Sequence, residues 1–165
     1  MPVDTTQRAP TDPDVDPRFS RQRFEPRRAR WAVLGAISAG GVLGALGRYG
    51  LTSAIGHRQG AFPWATFLIN VTGCLLIGAL MVLITDVWPA HRLLRPFLGT
   101  GVLGGYTTFS TYTVDAQRLT ADGHARTALA SLAATLVAAL LAVYAGSALT
   151  RVATRPLRHR RGRRR

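Results

Sequence analysis

Four long stretches of this chain are almost free of charge, and they follow one another inside residues 31–150. Residues 31–47 are uncharged, and past the single Arg48 the apolar run continues to 55; residues 59–85, 96–114 and 127–150 are the other three. Each supplies about the 20 residues that cross roughly 30 Å of hydrocarbon. Four such runs joined by short loops do not suit a soluble core. Nor is the first a secretion signal, because a long polar tail precedes it and three more runs follow. The chain reads as an all-α integral membrane protein with four transmembrane helices, spanning about 32–55, 63–85, 96–119 and 127–150.

Composition agrees with this division. Of 165 residues, 47% are hydrophobic, yet the mean hydropathy is only +0.12, so an apolar body is diluted by polar ends. That apolar fraction excludes a disordered chain, and the lone Cys74 excludes a disulfide scaffold. The net charge is +13, and all 21 basic residues are Arg. Residues 1–30 hold seven Arg and five acids, 151–165 hold eight Arg and no acid, and 31–150 hold only six Arg and three Asp. A nucleic-acid-binding domain would carry a basic face across its fold; this body is nearly neutral, so nucleic acid is not an expected partner. The ends read as a disordered Arg/Pro/Asp tail over 1–30 and an Arg-rich cytoplasmic tail over 151–165 that meets anionic membrane lipid. With four spans, both tails share a side with Arg92 and Arg95 of the middle loop, which gathers 17 Arg there against Arg58, Arg118 and Arg126 opposite. That bias places both termini in the cytoplasm of a multi-pass cell-membrane protein.

The spans hold more than lipid-facing residues. The first reads GGVLGALGRY, with Gly40, Gly41, Gly44 and Gly47 at a spacing that lets helix backbones approach in lipid. Helix packing is the plainer reading of those glycines. Arg48, the one charge deep in a span, either faces protein or water or snorkels to an interface. In the second span Pro63 suits a helix's first turn, and Gly73 shares a face with Asn70. Asn70 is open to two roles, an interhelical hydrogen bond or a donor lining an ion path. The third span, GTGVLGGYTTFSTYTVDAQRL, sets glycine pairs ahead of Thr107, Thr108, Ser110, Thr111 and Thr113. This helix is expected to break. Irregular backbone at membrane depth is tolerated only where it is buried in protein or lines a cavity, and it bares carbonyl and N–H groups that serve as ion ligands. Phe109 and Tyr112 are three apart and project in similar directions. Their positive ring edges, turned toward a path, attract an anion; two aromatics packed in a core are the competing reading.

Taken together, GGVLGALGRY, NVTG and GGYTTFSTY resemble the CrcB/Fluc fluoride channels of microbes. The combination is specific: G-x-x-G-x-x-x-R-Y, then N-x-x-G, then TTFST after a glycine pair. The resemblance covers roughly residues 31–150 and neither tail. It implies passive, fluoride-specific export that prevents fluoride toxicity, through an antiparallel dimer with two narrow pores. It also implies a structural sodium ion, not transported, held by main-chain carbonyls of Gly104 and Thr107. The implied pore positions are Asn70, Phe109 and Tyr112, with Ser110 and Thr111 as the polar track and Ser131 and Thr135 as secondary members of it. Arg48 matches the family's first-helix arginine, Gly73 closes the N-x-x-G, and Asp115 stands where the family usually has Glu. Two further departures are Tyr112, usually Phe, and Ala65, usually Gly.

These residue types suit the ion. Fluoride is small and strongly hydrated, so a pore must replace its water with donors that do not hold it too tightly, and amide, hydroxyl and aromatic C–H groups do this. Catalysis is not expected, since His57, His91, His124 and His159 are scattered through loops and tails without ligand spacing. A small-multidrug-type exchanger shares the four helices and antiparallel subunits, but it needs an embedded carboxylate in the first span. Here Asp86, Asp115 and Asp122 fall at span ends or in loops. A non-transporting membrane anchor with a basic lipid-binding tail is the other alternative. The charge bias adds one expectation. An antiparallel homodimer needs one sequence to insert both ways, and 17 Arg on one side fix a single orientation. The partner is therefore expected to be a related subunit of opposite orientation.

Overall fold

The computed structural model describes residues 27–56, 60–87 and 92–162, and every regular element among them is helical. The tail expected over 1–30 lies outside the described residues up to position 26, and α1 (Arg27–Ile55) already begins at its end. Next come α2 (Trp64–Val82), continued by a π-helical turn (Leu83–Val87), and a π-helical segment (Pro96–Leu103) that passes into the single turn α3 (Gly104–Tyr106). The chain closes with α4 (Phe109–Ala121) and α5 (Ala125–Gly162). At its C-terminal end α5 runs on well past the expected span end at 150.

Among the described residues, three helical stretches are long and apolar enough to cross a membrane: Arg30–Ile55, Trp64–Thr85 and Ala125–Arg155. The third expected span is not among them because it is interrupted. Thr107 (φ −76°, ψ 156°) and Thr108 (φ −147°, ψ 125°) are extended and divide α3 from α4. The glycine-rich approach explains where. Gly in a helix interior costs about 1 kcal/mol relative to Ala, and Gly99, Gly101, Gly104 and Gly105 crowd the ten residues before the break.

Packing follows the small residues. α2 lies along α5, while α1 lies along the Pro96–Leu103 segment and α3, and α4 packs on α5. A Cβ on Gly44 would collide with the Val102 carbonyl oxygen and one on Gly40 with that of Phe97, so these two are packing residues, whereas a Cβ on Gly41 would meet open space and one on Gly47 only ordinary contact with the Tyr106 ring. The α2–α5 pair uses the same device. There a Cβ on Gly78 would meet the Val143 carbonyl oxygen, and one on Gly146 that of Leu75. The result is a body whose interior mixes apolar residues such as Ile69, Leu80 and Leu103 with polar ones, and whose outside is apolar. Thr66, Thr108, Asp115, Ser131 and Thr135 are buried, whereas Leu136, Leu140, Leu141 and Val152 are exposed. Water would not tolerate that surface, but lipid does.

Both ends of the site-bearing helices have local causes. Pro63 caps α2 from outside the helix rather than sitting in its first turn, and its carbonyl accepts the Phe67 N–H at 3.0 Å. Phe62, Trp64 and Phe67 cluster there with ring centroids 4.7 to 5.8 Å apart, as suits a membrane interface. α4 ends at Gly123, whose φ of 82° lets the His124 N–H reach back to the Leu119 carbonyl at 2.7 Å. That tight reversal lays α5 against α4.

Candidate functional site at the helix break

The break is stitched to α2 by Asn70. Its Nδ2 donates to the Thr108 carbonyl at 2.9 Å, and its Oδ1 accepts the Thr108 N–H at 2.9 Å. A side-chain amide thus pairs with both backbone groups of the extended Thr108. Of the two roles open for Asn70, the interhelical bond is present. An amide carries two donor hydrogens, and the second has no partner among the described residues.

Thr108, which the sequence marked only as one of a Thr/Ser run, organises the start of α4. It is 7% exposed, and its Oγ1 accepts the Thr111 N–H at 3.1 Å as an N-cap. The same oxygen donates to Thr111 Oγ1 at 3.1 Å and lies 3.2 Å from Ser110 Oγ. One hydroxyl has one hydrogen and two lone pairs, so Thr108 is saturated when Ser110 donates to it. The Thr111 hydroxyl hydrogen then has no acceptor among the described residues. The signal for this cap was Thr at the last extended position before a helix with a neighbour three residues on, legible only once the break is located.

Four backbone carbonyls, those of residues 104–107, lose their helical partners in the same step, and two of them can be traced to where the hydrogens went. In an unbroken helix the Thr108 N–H would bond the Gly104 carbonyl and the Thr111 N–H that of Thr107. Here those hydrogens go to Asn70 and to Thr108 Oγ1. Gly104 is exposed and Thr107 half-buried. Beneath them, Gly73 leaves room for the break: a Cβ there would collide with Thr107 Cγ2 and lie 3.3 Å from the Tyr106 ring. Tyr106 is held in turn by Thr72, with hydroxyls 3.0 Å apart, a contact the sequence did not mark.

Phe109 and Tyr112 form a ring pair with centroids 5.8 Å apart and planes at 47°. Phe109 is 80% exposed, so it is not a core residue of the single chain. Tyr112 donates its hydroxyl to the Leu132 carbonyl at 2.8 Å, which pins α4 to α5. That bond gives the Tyr-for-Phe departure a structural use. Ser131 and Thr135 flank Leu132 on α5, both buried; Ser131 Oγ donates to the Ala128 carbonyl at 2.8 Å.

Asp115 requires a correction. It is not at a span end but in the middle of α4, 5% exposed, and its Oδ2 accepts the Thr66 hydroxyl at 2.6 Å. The chain therefore carries a carboxylate buried in protein, on α4 rather than on the first span. Thr66, unmarked in the sequence, is its partner. Both line a cavity of about 560 Å³ together with Thr52, Trp64, Thr111 and Arg118. Arg48 is half-buried on α1 and is not among the residues lining that cavity.

A neutral, donor-rich break next to a lined cavity is consistent with ion passage, and comparison with known proteins points the same way. A family profile described as "CrcB-like protein, Camphor Resistance (CrcB)" matches residues 35–147. A Streptomyces avermitilis protein named fluoride-specific ion channel FluC 2 is 57% identical over 114 residues, covering 67% of this chain and 72% of that one. Streptomyces coelicolor fluoride-specific ion channel FluC 1 is 53% identical over 123 residues, covering 72% and 80%. Nocardia farcinica fluoride-specific ion channel FluC 2 is 53% identical over 123 residues, covering 74% and 88%. The matched region contains every element from the packing glycines of α1 through the stitched break to the polar stretch of α5, and the chain belongs to the CrcB-like family.

Proposed function

We propose that the chain is the subunit of a fluoride-specific channel in the cell membrane that lets fluoride leave passively and so keeps its cytoplasmic concentration low. The observation that carries this reading is the helix break stitched to Asn70, in a family whose relatives are named fluoride-specific ion channels. The Pro96–Leu103 segment with α3, and α4 beyond the break, serve as two half-helices of a fourth span. Around the break the donors are neutral: the second Asn70 amide hydrogen, the Thr111 hydroxyl and the first N–H groups of α4, at the positive end of its dipole. Phe109 and Tyr112 add ring edges, Ser110, Ser131 and Thr135 extend the polar track, and Arg48 adds positive potential. Such groups replace fluoride's hydration without a fixed charge to trap it.

The active unit is an antiparallel dimer. Exposed Phe109 and Gly104 support this, since a second subunit over this face would cover both. The carbonyls released at Gly104 and Thr107 fit a structural sodium ion, because unwound backbone carbonyls are the usual ligands of that cation in membranes. Two subunits would present four such oxygens, and the ion would supply fixed positive charge beside the pores. With 17 Arg biasing one side, the second subunit is a related chain of opposite orientation, and both termini of this one are cytoplasmic.

Fluoride efflux from liposomes tests this, with chloride as control, using the full-length chain alone and together with a related subunit of opposite charge bias. Asn70→Ala and Phe109→Ile should each cut the flux at least about tenfold, the scale of losing one well-placed donor, while Cys74→Ala leaves it unchanged. Vesicles that retain fluoride in both preparations overturn the channel. Efflux from the single-subunit preparation overturns only the mixed pairing.

A further inference from the structure

We propose that the groove between α2 and α5, at the end of the bundle that carries the Arg-rich tail, binds one anionic phospholipid, its phosphate on the Arg151 guanidinium and an acyl chain along the groove. The groove has a volume of about 340 Å³. One wall holds Ile77, Met81 and Thr85, at i, i+4 and i+8 along α2 and the π-helical turn that continues it. The other holds Val143, Ser147 and Arg151 of α5 at the same spacing, so each wall is one stripe of its helix.

Both walls change character in the same direction. Their deep ends are the aliphatic side chains of Ile77 and Val143, and their outer ends are Thr85 and Arg151, about 12 Å away along each axis at 1.5 Å per residue. The two membrane-capable stretches run Trp64–Thr85 and Ala125–Arg155, so these outer ends lie where the spans leave the hydrocarbon. A recess that is apolar inward and cationic at headgroup depth has the polarity of a phospholipid, not of a free anion.

The mouth selects charge. Thr85 Oγ1 donates to the Met81 carbonyl at 2.7 Å and Ser147 Oγ to the Tyr144 carbonyl at 2.9 Å, so both hydroxyl hydrogens are already used. Arg151 is exposed and has no hydrogen-bond or ion-pair partner among the described residues, and no acidic side chain lines the groove. Its guanidinium pairs with a phosphate through two parallel N–H groups, and basic residues at this depth attract anionic lipid. A choline lipid brings its own cation beside the phosphate and gains less. A second copy in antiparallel orientation fits worse, since it would turn its Arg118 and Arg126 end toward Arg151. The site requires only that the chain crosses a membrane, so it does not rest on the channel reading.

Native mass spectrometry of the full-length chain tests this, with detergent micelles containing dioleoyl phosphatidylglycerol or dioleoyl phosphatidylcholine. One phosphatidylglycerol per subunit should stay bound, and phosphatidylcholine should not. Arg151→Gln should weaken retention at least about tenfold, the scale of a hydrogen bond to a charged group. Met81→Trp, which fills the groove and leaves the charge in place, should also lose the lipid. Arg155→Gln, exposed one turn farther out and not part of the lining, should stay close to the parent. Equal retention of the two lipids, or equal loss in Arg151→Gln and Arg155→Gln, overturns the proposal and leaves only diffuse attraction by the basic helix. Melting temperature keeps a folding defect apart from lost binding. Phosphatidylglycerol should raise it for the parent and Arg155→Gln but not for Arg151→Gln, because a ligand stabilises only the fold that binds it; the same rise in all three overturns the proposal. With p-benzoylphenylalanine in place of Met81, irradiation in phosphatidylglycerol vesicles should attach a lipid. A crosslinked second subunit in its place overturns the lipid and makes the groove a subunit interface.

Discussion

Asn70 and Thr108 show how much one residue pair does in a low-dielectric interior. The amide satisfies a backbone N–H and a backbone C=O that no water reaches cheaply at membrane depth. Asn70→Leu removes both partners at nearly constant volume, and each orphaned group costs about 1–3 kcal/mol. Thr108→Val removes the cap bond and the hydroxyl contacts with Ser110 and Thr111, but leaves the backbone pairing with Asn70, and should cost about 1–2 kcal/mol. Thermal unfolding of the detergent-purified protein checks the order, with Asn70→Leu clearly the less stable of the two. An Asn70 variant as stable as the parent would show that the stitch is dispensable. A polar amide in the middle of an apolar run was legible in the sequence; its target was not, because the Thr108 backbone is an acceptor and donor only where the helix stops. For the same reason Asp115 looked like a span-end acid. Its burial against Thr66 depends on where α4 ends and on what α2 presents to it.

At the scale of elements, packing is set by glycines that touch backbone. Gly78 and Gly146 lie where α2 and α5 approach most closely, each facing a main-chain carbonyl that cannot rotate away. Gly146→Ala and Gly78→Ala should each destabilise by about 1–3 kcal/mol, the usual cost of overpacking. Gly50→Ala, with open space around it, should be neutral or gain up to about 1 kcal/mol of helix propensity. Melting temperatures of the three variants are the readout, and a Gly146 variant that melts with Gly50→Ala would contradict this account of the contact. The glycine row of α1 announces itself by repetition in the sequence. Gly78 and Gly146 belong to no such row, and only the docking of two distant helices gives them a purpose. The π-helical turns at Leu83–Val87 and Pro96–Leu103 were also unmarked, since no residue pattern distinguishes a wide turn from an α-turn in a glycine-containing apolar run.

The whole molecule is an apolar-surfaced body with a mixed apolar and polar interior and a basic helical extension at its end. Because α5 continues to Gly162 and buries Thr154, the C-terminal tail begins later than the charge pattern suggested. Truncation after position 155 should leave fluoride flux per protein intact, whereas truncation after 150 removes part of the α2–α5 contact and should lower protein yield. Flux assays on matched amounts of reconstituted protein decide it, and loss of flux in the shorter truncation alone would fit, while equal loss in both would assign the tail a role in transport. The apolar spans, the presence of a break and the family were all legible in the sequence itself. They depend on how many residues cross a fixed thickness, where charge stops, and which short motifs recur, all properties of the linear chain. Tertiary structure alone decided which groups at the break are left over. A hydrogen bond uses up a donor or an acceptor, and only the folded arrangement of α2 against the interrupted span settles which ones Asn70 and Thr108 consume and which remain for an ion.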